Sequence, residues 1–179
     1  MKTLFQSIRI YLVLTLLTGI IYPLAITGIA QLVIPKQANG SRIVQDGKLI
    51  GSDLLSQKFE SREYFWPRPS AADFATVPSG ASNKGPTAAD LKTVIDERRQ
   101  KFGADAPIDL LTASGSGLDP HLSPEGARMQ IPRVAAARAR SIEEISALVD
   151  REIEPPQFGF LGEARVNVLR LNRALDQLY

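Results

Sequence analysis

The hydrophobic pattern divides the chain sharply, because residues 10–35 carry no charged side chain while charges are interspersed through the rest. At a rise of ~1.5 Å per residue, a helix over this run is about 39 Å long and exceeds the roughly 30 Å hydrocarbon core of a bilayer. The pattern predicts a transmembrane helix over 10–35, an N-terminal segment over 1–9 and a soluble domain over 36–179. A cleaved signal peptide is the alternative, but the apolar run is longer than such a peptide needs and no polar segment ends it.

Beyond the apolar run, short β-prone segments alternate with segments of helical periodicity. Residues 41–45 and 48–51 flank Asp46-Gly47, a two-residue turn signal that predicts an antiparallel hairpin. Three later segments place apolar residues on one helical face after a capping residue. They are Leu91, Val94, Ile95 and Phe102 after Thr87 and Asp90; Ile142, Ile145, Leu148, Val149 and Ile153 after Ser141 and Glu144; and Val168, Leu171, Leu175 and Leu178 after Asn167. We predict one compact α+β domain.

Small or kinking residues recur along one face of the predicted transmembrane helix. Thr15, Gly19, Pro23 and Thr27 are spaced every four residues. In lipid, helices associate through close packing at small residues, so this face predicts a helix-packing surface. The alternative is compositional, since Gly and Pro are common in spanning helices.

Charge placement predicts the orientation and excludes one class of partner. All 19 acidic residues, and every Lys and Arg except Lys2 and Arg9, lie after the apolar run. The soluble part is formally neutral, which argues against nucleic-acid binding. Lys2, Arg9 and the terminal amine precede the span, and Lys36 and Arg42 follow it, so the positive-inside rule favours a cytoplasmic N-terminus and an extracytoplasmic domain.

The residue inventory argues against most enzymes. The chain has no cysteine and one histidine, His121. Thiol catalysis, thiolate metal sites, disulfides and multi-histidine metal centres are therefore excluded, and a serine nucleophile has no evident triad base. We predict no catalytic residues and no metal cofactor.

The segment 111–121 contains Ser114, Gly115, Ser116 and Gly117 and precedes a helix-start pattern at 123–125. Glycine amides, hydroxyls and a helix N-terminus together suit a phosphate. However, no Gly-Lys-Ser/Thr ends the segment, and acidic residues flank it, so residue chemistry alone favours a structural turn.

Three further groups each have a structural and a functional interpretation. Asp119, His121 and Glu125 fit a capped turn better than a metal site. The aromatic run 64–66, stopped by Pro67, predicts packing against the core, with ligand stacking as the alternative. A basic stretch predicts an ion-paired helix face near Glu143 and Glu144, or a partner-binding face. Its members are Arg128, Arg133, Arg138 and Arg140.

Several unusual segments occur together in this order along the chain. After the N-terminal span they are Gly51-Ser52, Gln57-Lys58-Phe59, the run 64–71, the run 79–86, the run 112–123, the run 130–135, the run 159–163 and the run 165–169. Together they resemble the C subunit of the bacterial Kdp potassium-transporting ATPase, and the resemblance covers essentially the whole chain.

The resemblance implies a single-span, non-catalytic accessory subunit of a bacterial inner-membrane potassium import complex. Its partners would be a channel-like potassium-binding subunit, a P-type ATPase subunit and a further small membrane subunit. Consistently, the chain lacks Asp-Lys-Thr-Gly-Thr, the phosphorylated segment of P-type pumps. The implied roles are assembly of the complex and action as a catalytic chaperone that raises the ATP affinity of the ATPase subunit.

Carried onto this chain, ATP contacts would fall on Ser114, Gly115, Ser116 and Gly117. An extracytoplasmic domain would keep this loop from cytoplasmic ATP, so the two expectations conflict. We therefore weigh a structural subunit over the ion entrance against a nucleotide-binding activator. An envelope enzyme has only His121 and scattered carboxylates in its favour.

Overall fold

The computed structural model describes residues 1–45 and 47–178 of the chain. The chain separates into two compact units, Met1–Arg42 and Ile43–Tyr179. The first is almost entirely helical, and the second mixes helices with two small sheets. The predicted α+β class, with one N-terminal apolar helix ahead of a mixed domain, is confirmed.

The N-terminal helix is continuous from Lys2 to Val33 and has one irregular turn. It consists of α1 (Lys2–Leu16), a π-helical turn (Leu17–Ile21) and α2 (Tyr22–Val33). It ends at Ile34, whose extended φ of −136° suits a residue that precedes proline. A single further turn, α3 (Pro35–Ala38), follows.

The predicted hairpin is confirmed as a two-stranded sheet of β1 (Arg42–Gln45) and β2 (Lys48–Ser52). Two residues connect the strands, and so short a connection allows only an antiparallel pair. Gly47 has φ +74°, which suits the turn. Asp46 of the predicted turn lies outside the described residues.

A three-stranded sheet lies in the middle of the domain. Its strands are β3 (His121–Leu122), β4 (Ile153–Glu154) and β5 (Arg165–Asn167), in the order β3-β5-β4. Both pairings are antiparallel, and Val166 is the partner of Leu122 on one side and Ile153 on the other. Val166 is fully buried, so this small sheet is anchored at its central strand.

Five helices surround that sheet: α4 (Ala89–Phe102), α5 (Ile108–Leu111), α6 (Pro124–Arg138), α7 (Ile142–Arg151) and α8 (Val168–Gln177). The core joins the apolar faces of α6, α7 and α8 to the sheet and to Phe65. Its fully buried members include Phe65, Leu110, Val134, Ile145, Val149, Val166, Leu171 and Leu175.

The predicted helix starts are confirmed at three caps and wrong at one. Ser123 and Asn167 accept from backbone amides of α6 and α8, and Ser141 forms a full capping box on α7. The predicted Thr87 cap is wrong: α4 begins after Ala88 and has no side-chain cap. Asp90, the other half of that predicted box, instead binds Lys84 at 2.7 Å.

Two predicted helical faces are shorter than their apolar periodicity suggested. Helix α7 ends at Arg151, and Ile153 belongs to β4, where it pairs with Val166. Ile142 is 53% exposed and Leu178 42% exposed, so neither belongs to the core. Apolar periodicity alone therefore overestimated the buried faces of these two helices.

Candidate functional site

The predicted helix-packing residues form two neighbouring pairs, Thr15 with Gly19 and Pro23 with Thr27, around the irregular turn. An added Cβ on Gly19 would lie 4.0 Å from Thr15 Cγ2, and the Thr27 hydroxyl donates to the Pro23 carbonyl at 2.8 Å. That the four residues form one packing surface stays a prediction. None of the residues of α1, the π-helical turn or α2 is buried.

Pro23 explains the irregular turn ahead of it. Proline has no N–H, and its ring collides with the carbonyl four residues back in a regular helix. Here the backbone widens just before it, and the Tyr22 N–H donates to the Leu17 carbonyl five residues back. Helix interruptions of this type are concentrated at functional positions in proteins.

The loop Ser114 to Gly117 uses two of its four amides in hydrogen bonds within the protein. The Ser114 N–H donates to the Pro69 carbonyl at 3.1 Å, and the Gly117 N–H donates to the Ser114 carbonyl at 3.3 Å. The Leu118 N–H donates to Ser116 Oγ at 3.1 Å. Of the four loop amides, those of Gly115 and Ser116 have no acceptor within the described part of the chain.

Close packing holds the loop in that shape. Ser114 is buried, whereas Gly115 and Ser116 are exposed. Gly117 has φ +72°, and a Cβ added there would come within 2.8 Å of the Gly80 carbonyl oxygen. Glycine is therefore required at 117 both by its backbone conformation and by the approach of a neighbouring backbone.

A protein carboxylate already occupies the start of helix α6. Asp109 Oδ2 accepts from the Ser123 N–H at 2.7 Å, and Ser123 Oγ accepts from the Gly126 N–H at 2.9 Å. The amides of Ser123 and Gly126, two donors at this helix start that would attract a phosphate, are thus hydrogen-bonded to the protein's own oxygens. The loop and this helix start together form a capped structural turn.

The acidic and histidine side chains near this turn are engaged with each other. Asp119 accepts from Arg68 Nη1 at 2.9 Å and from the His121 N–H at 3.0 Å. Burial raises the pKa of Asp119, but the bonds from His121 and the charge of Arg68 outweigh it and leave the pKa below its ordinary value. Glu125 is exposed, and no group of three potential metal ligands forms within the described ranges.

Two buried amide side chains, which sequence reasoning missed, hold the aromatic segment. Asn172 accepts from the Phe65 N–H at 2.8 Å and donates to the Phe65 carbonyl at 3.0 Å. Gln130 makes the same pair of bonds to Trp66, at 2.8 and 3.0 Å. The available signal was a polar residue on the apolar face of each helix. The predicted packing of the aromatic run against the core is confirmed at Phe65, which is fully buried.

Two cations lie over the ring of Trp66. Lys101 Nζ is 4.0 Å and Arg133 Cζ 3.7 Å from the centroid of the indole ring. The Arg133 guanidinium also donates to the carbonyls of Arg62 and Tyr64, at 2.7 and 3.0 Å. Burial, together with the nearby charge of Arg62, lowers the pKa of Arg133 to about 10. Burial and then the charge of Arg133 lower the pKa of Lys101.

Two other arginines of the basic stretch are ion-paired, as one of the two interpretations predicted. Arg128 binds Asp150 at 2.8 Å, and Arg138 binds Asp176 at 2.6 Å. These partners are distant in sequence and are not the predicted Glu143 and Glu144; Glu144 instead completes the capping box of α7.

A further arginine ties the hairpin region to the C-terminal helix. Arg170 forms two parallel bonds to the buried Asp53, both 3.1 Å, and a third bond to Glu154 at 2.7 Å. Asn167 adds a bond from its side chain to the Asp53 carbonyl at 2.8 Å. The hydrogen bonds to Asp53 raise the pKa of Arg170, so this cluster is electrostatically satisfied.

Comparison with known proteins identifies the family. The sequence model of the family described as "K+-transporting ATPase, c chain" matches residues 4–177. The chain is 50% identical to the potassium-transporting ATPase KdpC subunit of Geotalea uraniireducens, over 99% of each chain. It is 49% identical to that of Cereibacter sphaeroides, over 92% of this chain and 91% of the relative. It is 50% identical to that of Gemmatimonas aurantiaca, over 97% and 94%. The chain therefore belongs to the KdpC family and is an accessory subunit of a potassium-transporting ATPase complex.

Proposed function

We propose that this subunit assembles and stabilises the potassium-transporting complex through its N-terminal helix, while its folded domain stands on the extracytoplasmic side of the inner membrane. The ion path and ATP hydrolysis then belong to a channel-like subunit and a P-type ATPase subunit, with potassium as the transported ion. A further small membrane subunit completes the proposed complex.

One observation carries the proposal: an apolar helix of 32 residues, Lys2–Val33, none of whose residues is buried. Lipid would satisfy its general apolar surface, but lipid requires no small-residue strip. That strip, formed by Thr15, Gly19, Pro23 and Thr27, lies where the π-helical turn interrupts the helix. A neighbouring membrane helix is the partner that such a strip fits.

The flanking charges support this orientation. Lys2 and Arg9 favour the cytoplasm for the N-terminal segment. The domain after the span is formally neutral overall, so it presents no general charge barrier to translocation.

The nucleotide-binding role implied by family resemblance stays a prediction, and the local geometry favours the structural role over it. Of the residues assigned to ATP, Ser114 and Gly117 use their amides within the protein, and only Gly115 and Ser116 retain free ones. Asp109 occupies the adjacent helix start. For this loop to act as a catalytic chaperone, ATP would have to displace those hydrogen bonds, or the ATPase subunit would have to hold the ATP.

Replacement of Gly19 by Leu tests the packing face. We expect the partner subunits recovered with the tagged chain to fall about tenfold, because a bulky side chain separates helices that touch at a small residue. Gly28→Leu is the matched control, since nothing lies within 4 Å of a Cβ added at Gly28 and it is outside the strip. Equal recovery for the two variants would exclude this face as the interface.

Cysteine labelling tests the orientation, because the chain has no cysteine of its own. In intact cells a membrane-impermeant maleimide should label Ser79→Cys, which is exposed in the domain. Thr3→Cys, before the apolar run, should react only after lysis. The reverse pattern would place the domain in the cytoplasm and reopen the nucleotide role.

Photo-cross-linking with an ATP analogue tests the alternative in the assembled complex. If the subunit is structural, label should appear on the ATPase subunit and not on residues 112–118 of this chain. Label on Ser114 or Ser116 that excess ATP competes away would support nucleotide contact instead.

A further inference from the structure

The aromatic–cationic cluster around Trp66 has a charge arrangement unlike the other basic clusters of the domain. Arg133 Cζ and Lys101 Nζ lie 3.7 and 4.0 Å from the centroid of the Trp66 indole, and Arg62 lines the same cleft. These three cations repel one another, and the indole face compensates only part of that repulsion.

No acidic side chain neutralises the cluster within the described residues. Arg62, Lys101 and Arg133 have no Asp or Glu oxygen within 4.0 Å there, and Arg133 donates only to carbonyl oxygens and to Gln130. Glu60, whose charge acts on Lys101, is itself bound by Lys58 at 3.1 Å. By contrast, Arg68, Arg128, Arg138 and Arg170 each bind a carboxylate.

The same residues line a small open cleft of about 240 Å³. Arg62, Lys101 and Arg133 supply donors, Gln130 supplies a polar wall, and Trp66, Phe102 and Met129 supply apolar ones. This volume is below the usual range for drug-sized ligands, so the cleft accepts a small group.

We propose that this cleft binds a phosphate group. The planar guanidinium of Arg62 matches the oxygen geometry of an oxyanion, and Lys101 adds a point charge. Arg133 contributes its positive charge, while its Nη1 and Nη2 groups donate to Arg62, Tyr64 and Gln130. Three positive charges favour a phosphate, with a charge of about −1.5 to −2 in monoester form at pH 7, over a singly charged carboxylate. The phosphate comes either from solution or from a lipid whose headgroup is a phosphate monoester.

Intrinsic fluorescence provides a direct test, since Trp66 is the only tryptophan of the chain. The full-length protein in a neutral detergent is titrated at pH 7 with sodium phosphate, and separately with sodium acetate and sodium chloride at matched ionic strength. We expect a saturable change with phosphate and none with the other salts. Identical responses to all three salts would show general screening and overturn the proposal.

A second titration separates the two sources. Short-chain phosphatidic acid, whose headgroup is a phosphate monoester, is added below its micelle concentration and compared with short-chain phosphatidylcholine, whose headgroup has no net charge. Saturation by inorganic phosphate alone identifies a soluble phosphate, and saturation by phosphatidic acid at lower concentration identifies a headgroup. The absence of saturation by both phosphate and phosphatidic acid would overturn the proposal.

Lys101→Met links the response to the cluster while leaving the indole packed. We expect the titration midpoint to rise about tenfold, the effect of losing one charged hydrogen bond, and Lys101→Arg to restore it. Arg99→Met is the control, since it removes one positive charge from the same helix at a residue beside Asp96. Equal midpoints for Lys101→Met and Arg99→Met would contradict a site at Trp66.

Discussion

Arg170 and Arg133 are both partly buried arginines of the same domain, yet they are held in opposite ways. Arg170 has a bidentate carboxylate partner, Asp53, and a second acid, Glu154. Arg133 has an indole, carbonyls and other cations around it. The pKa of Arg170 is accordingly raised, and that of Arg133 is lowered to about 10.

The contrast distinguishes cations that are paired within the fold from cations that remain available to bind a ligand. A cation paired within the protein stabilises the fold and has little left to offer a ligand. A cation held near other cations costs free energy in the unliganded protein, and an external anion would offset that cost. The aromatic–cationic cluster around Trp66 is therefore the better candidate for binding an external anion.

Removal of the paired arginine should have the largest effect on stability. Arg170→Met removes two parallel charged hydrogen bonds from the carboxylate of Asp53, whose side chain is only 7% exposed. We expect the free energy of unfolding to fall by about 2 kcal/mol, less than for a fully buried pair because Arg170 is itself 44% exposed.

Chemical denaturation of the detergent-solubilised chain measures this loss. Arg165→Met is the matched control, because Arg165 binds the same Glu154 at 3.1 Å from a more exposed position. It should cost at most about 1 kcal/mol. Equal losses for the two variants would show that the bonds to Asp53 contribute no more to stability than the bond from Arg165 to Glu154.

A smaller effect is expected at Asp119, which binds Arg68 and caps the turn at His121. Its folded-state pKa lies below its ordinary value of 3.8. The resulting stability is present above the unfolded pKa and lost as the pH falls through the folded pKa. Asp119→Asn should lower stability at pH 7 by about 1 kcal/mol.

The pH profile provides the check on Asp119. Unfolding free energies measured from about pH 2 to 7 should fall less steeply below about pH 4 in Asp119→Asn than in the parent chain. If the free energies of unfolding of the two proteins fall equally steeply at acid pH, Asp119 does not account for this pH dependence.

The smallest effect is expected within the unpaired cluster. Lys101→Met removes an exposed cation–π contact, worth about 0.5–1 kcal/mol, and at the same time relieves repulsion with Arg133. We expect the free energy of unfolding to change by less than about 0.5 kcal/mol. A loss as large as that of Arg170→Met would show that the cluster is structural and would weaken the contrast.

Local signals in the sequence predicted the elements whose formation depends on neighbouring residues. The apolar run, the hairpin around Gly47 and the capping box of Ser141 and Glu144 all rest on interactions a few residues apart. Thr87 failed as a cap although the signal is local: α4 starts after Ala88, one residue later, and Asp90 is paired with Lys84.

Helix α6 shows where local reasoning is insufficient. Pro132 lies inside it, and proline ordinarily disfavours a helix interior. The helix continues because residues on both sides of the proline, including Ile131 and Val134, are buried in the core. Burial of that face outweighs the hydrogen bond lost at the proline, and no window of sequence around Pro132 contains this information.

The sequence by itself determined the membrane-type helix, the α+β character of the domain and membership of the KdpC family, because apolar length, periodicity and motif order are properties of the chain read in one dimension. Only the tertiary structure decided which arginines are paired. Asp53 and Arg170, or Trp66 and Arg133, are far apart in sequence, and whether a charge meets a carboxylate or an indole depends on contacts that folding creates.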